Sequence, residues 1–152
     1  MLTRLRIILI LLICVSFLCS CGVRTGYYDD DQKEIIAKLT AKEWRQIYSH
    51  TPDFEPEEFK DEGRVYKFNP NGTGSYKWVK WSDGSVNGDV VYFRWTFTTE
   101  NFAVIYIDKL ERFWLIDKLT ANELWVYDSY QDPVLYPNSN EVFCKFVVGE
   151  SK

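Results

Sequence analysis

The sequence predicts an all-β domain, an eight-stranded antiparallel up-and-down barrel preceded by a short helix. Three observations predict it. Apolar and polar residues alternate with a period of two over eight short segments, which is the pattern of half-buried strands. Most links between these segments are a few polar residues long, which suits hairpins and leaves no room for crossover helices. The chain has 152 residues, enough for one such domain.

The order of elements follows from the periodicity. A helix is predicted over residues 32–42, because Ile35, Ile36 and Leu39 fall at helical spacing. The period then changes to two, and strands are predicted over residues 43–48, 64–69, 74–81, 89–98, 102–108, 112–119, 123–128 and 141–148. Closing these strands into a barrel would remove the exposed sheet edges. Eight strands leave an interior that holds either side chains or one small ligand.

The fourth strand and the turns support this order. Residues 89–98 place Phe93 and Trp95 on one face and Arg94 on the other. The pair Asn71-Gly72 is typical of a tight hairpin.

The linker Asp83 to Gly88 imitates the start of a calcium-binding loop, with oxygen-bearing residues at positions one, three and five and glycine at six. Position twelve is Arg94 where a calcium loop needs glutamate. We interpret the linker as a hairpin turn.

The N-terminus has the proportions of a secretory signal peptide over residues 1–20. Arg4 and Arg6 precede an apolar run over residues 7–18, which is shorter than the roughly 20 residues needed to span a bilayer. The signal ends Leu18-Cys19-Ser20-Cys21-Gly22, which resembles the lipobox of bacterial lipoproteins. That resemblance implies lipidation of Cys21, and two or more acyl chains anchor a protein stably. An ordinary cleaved signal without lipid is the alternative.

This signal changes what the composition means. Of the four cysteines, only Cys144 would remain free, so an intramolecular disulfide is excluded and we expect Cys144 to be a small buried residue. Loss of Arg4 and Arg6 changes the net charge from -4 to -6, which argues against nucleic acid as a partner. The predicted organisation is a signal peptide over 1–20, a lipidated tether and short helix over 21–38, and the barrel over 39–149.

No catalytic residue, cofactor or metal site is predicted. His50 is the only histidine, and we expect it in the acidic loop over residues 49–63, with no nucleophile motif near it. Carboxylate pairs such as Glu57 and Glu58, or Asp128 and Asp132, could act on a glycoside, but their spacing does not direct them at one substrate. A glycosidase or other enzyme is therefore the third hypothesis.

The chain contains 26 aromatic residues, and most of them are expected to fill the core. Some could instead line a cavity. Candidate ligand-binding residues are the inward aromatic residues Trp44, Tyr66, Tyr76, Trp78, Phe93 and Trp95. Trp125 and Tyr127 alternate with Leu124 and Val126, so they fall on the opposite face and form a candidate surface for a protein partner.

Four segments together resemble the lipocalin-like lipoproteins of Bacteroidetes, small proteins of largely unassigned function. They are the entry Leu39-Thr40-Ala41-Lys42-Glu43-Trp44, the hairpin Phe68-Asn69-Pro70-Asn71-Gly72-Thr73-Gly74, the strand Phe93-Arg94-Trp95 and the corner Ile116-Asp117-Lys118-Leu119-Thr120-Ala121-Asn122-Glu123-Leu124. The resemblance covers about residues 39–148 and implies a lipocalin-like barrel. Lys42 stands where the lipocalin signature has glycine, and Lys145 is the candidate for the basic residue that crosses the signature tryptophan.

Two functions are expected from these observations. The first is a lipid-anchored protein of the cell outer membrane, on its periplasmic or outer side, that binds a small apolar or amphipathic ligand without catalysis. Its partners would be the membrane, through Cys21, and a small ligand or an envelope protein. The alternative is an accessory or inhibitory interaction module whose barrel is filled by side chains. Whether the barrel interior is open or packed separates the two.

Overall fold

The elements of the fold follow the order that the periodicity predicts. The computed structural model describes residues 30–137 and 141–149. They form a helix α1 and nine strands: α1 Asp30–Thr40, β1 Glu43–His50, β2 Glu57–Glu58, β3 Glu62–Phe68, β4 Thr73–Lys80, β5 Val86–Phe97, β6 Val104–Ile107, β7 Arg112–Leu119, β8 Glu123–Ser129 and β9 Val142–Val148. A 3-10 turn over Asp108–Leu110 joins β6 to β7. The helix begins and ends two residues earlier than the spacing predicted.

The strands form a closed antiparallel barrel. Each strand from β3 to β8 pairs with its successor, and β1 pairs with both β3 and β9, so eight strands close into a ring. The predicted eight-stranded up-and-down barrel is confirmed. The element that the sequence did not predict is β2, two residues of the acidic loop that pair with the end of β1 through Tyr48 and Ser49.

One half of the barrel is filled with aromatic side chains. Phe68 lies at its centre, with ring centroids 5.6 Å from Phe93, 5.6 Å from Trp95 and 5.8 Å from Trp114, all at steep interplanar angles. Such edge-to-face packing adds about 0.5–1.5 kcal/mol per pair beyond the burial of apolar surface. These contacts show that the expected core filling applies to this half of the interior.

The helix α1 closes the filled half. Leu39 is fully buried in the core, and its carbonyl accepts a hydrogen bond of 2.8 Å from the indole N–H of Trp44. Gln32 donates to the carbonyl of Glu100 in the linker between β5 and β6. The core therefore draws on residues from α1 to β9, and the closed sheet and its cap share this one core.

The turns have the chemistry that the sequence predicted. Gly72 adopts a φ of +79° and its N–H donates to the carbonyl of Asn69 at 3.1 Å, which closes the β3–β4 hairpin. The carboxylate of Asp83 accepts from the N–H of Ser85 at 2.9 Å, so it stabilises the β4–β5 turn.

Across the residues that the structure describes, no three His, Cys, Asp or Glu side chains are grouped as a metal site.

Two further predictions concern the cysteines and the N-terminus. Cys144 is free and buried, as predicted. The predicted signal peptide, the predicted lipidation site Cys21 and most of the predicted tether lie outside the described residues. Within residues 30–137 and 141–149, no helix has the length and apolar character needed to cross a bilayer.

Candidate ligand-binding site

The end of the barrel opposite α1 contains a cavity of about 390 Å³. It lies where β1, β4 and β8 end and where β3, β7 and β9 begin. Its wall combines charged, aromatic and small polar side chains: Gln46, Ser49, Glu57, Phe59, Arg64, Tyr66, Trp78, Leu110, Arg112, Asp128, Tyr130, Val142 and Cys144. The barrel is thus packed at one end and open at the other.

An ion pair forms one side of the cavity. Arg112 Nε lies 2.7 Å from Asp128 Oδ1, and the two side chains are 13% and 19% exposed. Burial raises the pKa of Asp128, and the hydrogen bond and charge of Arg112 limit that rise. The Arg112 guanidinium also lies 3.7 Å from the ring centroid of Tyr130. The ion pair with Asp128 and the contact with the Tyr130 ring together hold Arg112 in place.

Arg64 occupies the other side of the cavity with different neighbours. It projects from β3 on the same face as Tyr66, and its guanidinium carbon lies 5.9 Å from the ring centroids of both Tyr76 and Trp78. Burial lowers the pKa of Arg64, but Tyr66, Tyr76 and Asp128 outweigh that effect and the pKa is raised, so the side chain stays cationic. Among the described residues, no carboxylate forms an ion pair with Arg64.

The floor of the cavity carries neutral polar groups. The Tyr66 ring stacks on Tyr76 at 5.3 Å and meets Trp114 edge-on at 4.9 Å, and burial raises the pKa of its hydroxyl above the ordinary range. Burial also raises the pKa of Cys144 to about 12, so its thiol stays protonated. The side-chain amide of Gln46 lies 3.7 Å from that sulfur. At neutral pH, therefore, the floor bears no charge.

The indole N–H of Trp114 is the one buried donor beside the cavity, within the described part of the chain, that has no hydrogen-bond partner. It belongs to β7, directly across from Asp128 on β8. It nevertheless helps to lower the pKa of Asp128 against the effect of burial, so the indole N–H lies close to that carboxylate although the two groups do not meet the geometry of a hydrogen bond.

The structure divides the six candidate ligand residues between the two halves. Tyr66 and Trp78 line the cavity, and Tyr76 packs directly behind Tyr66. The other three are buried in the filled half: Trp44, Phe93 and Trp95. The aromatic residues identify the interior but do not by themselves distinguish its open end from its packed end.

The sequence reasoning did not select the two arginines of the cavity, Arg64 and Arg112. A signal for them is nevertheless present in the alternation of the strands. Arg64 lies two residues before Tyr66, and Arg112 lies two residues before Trp114, so each arginine points to the same face of its strand as a buried aromatic residue. An arginine at an inward position of a barrel strand is the pattern that could have found them. Asp128 follows from Arg112, since it lies on the adjacent strand within reach of the guanidinium.

Trp125 and Tyr127 lie on the outer surface, as their alternation indicated. They pack with Phe143, at centroid distances of 6.1 Å and 5.1 Å, and Lys145 lies between the rings of Trp125 and Tyr48 at 4.8 Å and 4.9 Å. We call these five residues the outer aromatic patch.

The position of Lys145 corrects one expectation. Trp44 points into the barrel opposite Val148, whereas Lys145 points outward, so Lys145 does not cross the signature tryptophan.

Neither carboxylate pair considered for catalysis lies together in the cavity. Glu57 lines the rim while Glu58 pairs with Lys60 at 2.9 Å, and Asp128 lines the wall in its ion pair with Arg112 while Asp132 is not part of the lining. His50 ends β1 and so does not belong to the acidic loop in which the sequence had suggested it, and it is half-buried outside the cavity lining. Comparisons with protein-family models, with curated proteins and with solved structures find no match to this chain. The functional argument therefore depends on the cavity and the surface of the barrel.

Proposed function

We propose that this protein is a lipid-anchored, non-catalytic binding protein of the cell envelope that holds a small amphipathic ligand at the open end of its barrel. The observation that supports this most is the cavity of about 390 Å³, whose wall places Arg64 and Asp128 beside the rings of Phe59 and Trp78. Ligand sites generally combine an apolar wall with a few polar groups in this way. A barrel filled by side chains would have no such space.

The volume limits the size of the ligand. Ligand pockets range from about 300 to 1,000 Å³, so this cavity is near the small end of the range. It corresponds to about a dozen water molecules at roughly 30 Å³ each. A ligand with one ring or a short alkyl chain fits that space, whereas a lipid with several long chains does not.

Tryptophan fluorescence tests the binding function. Octanoate, a short amphiphile, is titrated into wild type and into Trp78→Phe and Trp125→Phe variants. Trp78 lines the cavity and Trp125 lies on the outer surface, so we expect saturable quenching that is reduced in Trp78→Phe and retained in Trp125→Phe. Native mass spectrometry of protein purified from its own envelope should also show an added mass. Absence of both signals would indicate a barrel without a ligand.

The anchor is tested separately by cell fractionation. Cys21→Ala should release the protein from membranes, because it removes the residue that the lipobox resemblance assigns to lipidation. Cys19→Ala is the matched control, since Cys19 would leave with the signal peptide and its replacement should preserve membrane retention. Membrane retention of Cys21→Ala would contradict the anchor.

The outer aromatic patch favours a second function, that of an accessory or inhibitory interaction module. Trp125 and Tyr127 are half-buried on the outer face, and tyrosine and tryptophan side chains are common at protein interfaces. A double variant Trp125→Ala/Tyr127→Ala should lose capture of an envelope protein if the patch is an interface. Octanoate binding should be unchanged in that variant, because neither side chain lines the cavity. Unchanged capture would remove the support for this function.

A further inference from the structure

We propose that the ligand of the cavity carries one carboxylate and that Arg64 binds it. This inference rests on the proposed ligand-binding function and adds the chemical class of the ligand. It starts from the four charged residues that line the cavity, which are Glu57, Arg64, Arg112 and Asp128.

The charges of the wall leave one cation without a partner. Arg112 and Asp128 neutralise each other across 2.7 Å. Glu57 lies on β2 at the exposed rim, where water screens its charge. Arg64 remains: it faces the cavity, is exposed toward the mouth, and has no ion pair among the described residues. Apart from Glu57 at the rim, the charged residues of the wall therefore sum to +1, which a single negative charge on a ligand would balance.

The surroundings of Arg64 leave its donor groups accessible. Tyr76 and Trp78 lie near the guanidinium through their ring faces, and Tyr66 offers one hydroxyl. A guanidinium has five N–H donors that lie in its plane, so contacts with ring faces do not consume them. Arg64 is also exposed to solvent through the mouth of the cavity. A carboxylate can approach it and form two parallel hydrogen bonds.

The rest of the cavity suits the apolar part of such a ligand. Phe59 meets Trp78 edge-on at 6.2 Å, and Leu110 and Val142 also line the space. A ring or short chain attached to the carboxylate would pack against these side chains. A cationic ligand would be repelled by Arg64, and the carboxylate of Asp128 is already occupied by Arg112. A dianionic phosphate would bring a second negative charge that the wall does not balance.

Three ligands that differ only in their head group test the proposal. They are 4-phenylbutyrate, 4-phenylbutanol and 4-phenylbutylammonium, titrated by calorimetry at neutral pH into a form comprising residues 22–152, which contains the closed barrel and its helical cap. We expect the butyrate to bind at least about tenfold more tightly than the alcohol, because hydrogen bonds to charged groups contribute about 1.5–3 kcal/mol. The ammonium should bind least tightly.

Variants of β3 assign the effect to Arg64. Arg64→Gln should weaken butyrate binding at least about tenfold and abolish the preference for butyrate over the alcohol. Arg64→Lys keeps the charge without the planar fork and should be intermediate. Lys67→Gln is the matched control, because Lys67 lies on the same strand but on the outer, exposed face, and it removes the same net charge. Circular dichroism should show the same fold in all variants.

The outcomes separate this inference from the proposed function. Equal binding of all three ligands, unaffected by Arg64→Gln, would overturn the carboxylate inference and leave the binding function intact. Equal weakening by Arg64→Gln and Lys67→Gln would also overturn it, since the attraction would then be a long-range charge effect. Absence of binding by all three at millimolar concentration would contradict both.

Discussion

Replacement of Gly74 by alanine tests the packing of the filled half of the barrel. Gly74 lies on β4 directly opposite Phe93 on β5. An alanine Cβ at this position would lie 2.3 Å and 2.5 Å from two carbons of the Phe93 ring, and 2.7 Å from the carbonyl oxygen of Lys67. The ring is itself confined by Phe68, 5.6 Å away, and the carbonyl belongs to the neighbouring strand. Neither can yield without disturbing the core.

The magnitude follows from two opposing effects. Alanine in place of an unstrained glycine stabilises a protein by about 0.4–1 kcal/mol, because it restricts the unfolded chain. Overpacking a core costs about 1–3 kcal/mol. Since both a side chain and a backbone atom obstruct the new methyl group, we expect Gly74→Ala to lower the free energy of unfolding by about 2–3 kcal/mol. Gly149→Ala meets nothing closer than 3.8 Å and should be neutral or slightly stabilising.

Urea unfolding followed by tryptophan fluorescence measures both variants, with linear extrapolation to water. The double variant Gly74→Ala/Phe93→Leu should recover part of the loss, because it removes the ring carbons but not the Lys67 carbonyl. A loss below about 0.5 kcal/mol for Gly74→Ala, or one equal to that of Gly149→Ala, would refute the packing argument.

Four further predictions concern the cap, a turn and, twice, Cys144 at the cavity floor. Trp44→Phe should lower the free energy of unfolding by about 1–3 kcal/mol, because the buried carbonyl of Leu39 loses its donor; unchanged stability in urea would contradict this. Gly72→Val should melt at a lower temperature than Gly72→Asn, since both add a Cβ but asparagine better tolerates a φ of +79°. In residues 22–152 the thiol of Cys144 should react with a disulfide reagent only after unfolding, and fast reaction of the native protein would count against its burial. Because burial raises the pKa of Cys144 from 9.0 to about 12, the folded state keeps a proton that the unfolded state loses. The free energy of unfolding should therefore fall as the pH rises from about 9 to about 12, less steeply in Cys144→Ala, and equal slopes would contradict the shift.

The barrel could be predicted because its strands are half-buried. In β5 the inward residues Phe93 and Trp95 are buried and the outward residues Tyr92 and Arg94 are exposed, which is the alternation that the sequence displays. The strand β2 could not be predicted in this way. Its two residues are both exposed glutamates, so their pairing depends on the end of β1 and not on any pattern of their own.

The cavity was harder to predict than the barrel, because it forms only where inward-pointing side chains do not pack against each other across the interior. Trp44 and Tyr66 are equally plausible ligand contacts in the sequence, yet one lies beneath the cap and the other at the cavity floor. The pairing of Arg112 with Asp128 depends on the register of β7 and β8, which shifts between Ile116 and Lys118. A register of this kind is fixed by the packing of the whole sheet, so local periodicity does not contain it.

The location of α1 shows where the tether joins the barrel. The helix starts at Asp30, nine residues after Cys21, and a segment of that length reaches at most about 30 Å. Because α1 caps the packed end, the tether joins the domain at the end opposite the cavity. If Cys21 is acylated as proposed, the mouth of the cavity can face the aqueous phase while the protein stays anchored. A small, soluble carboxylate can reach such a mouth directly from water.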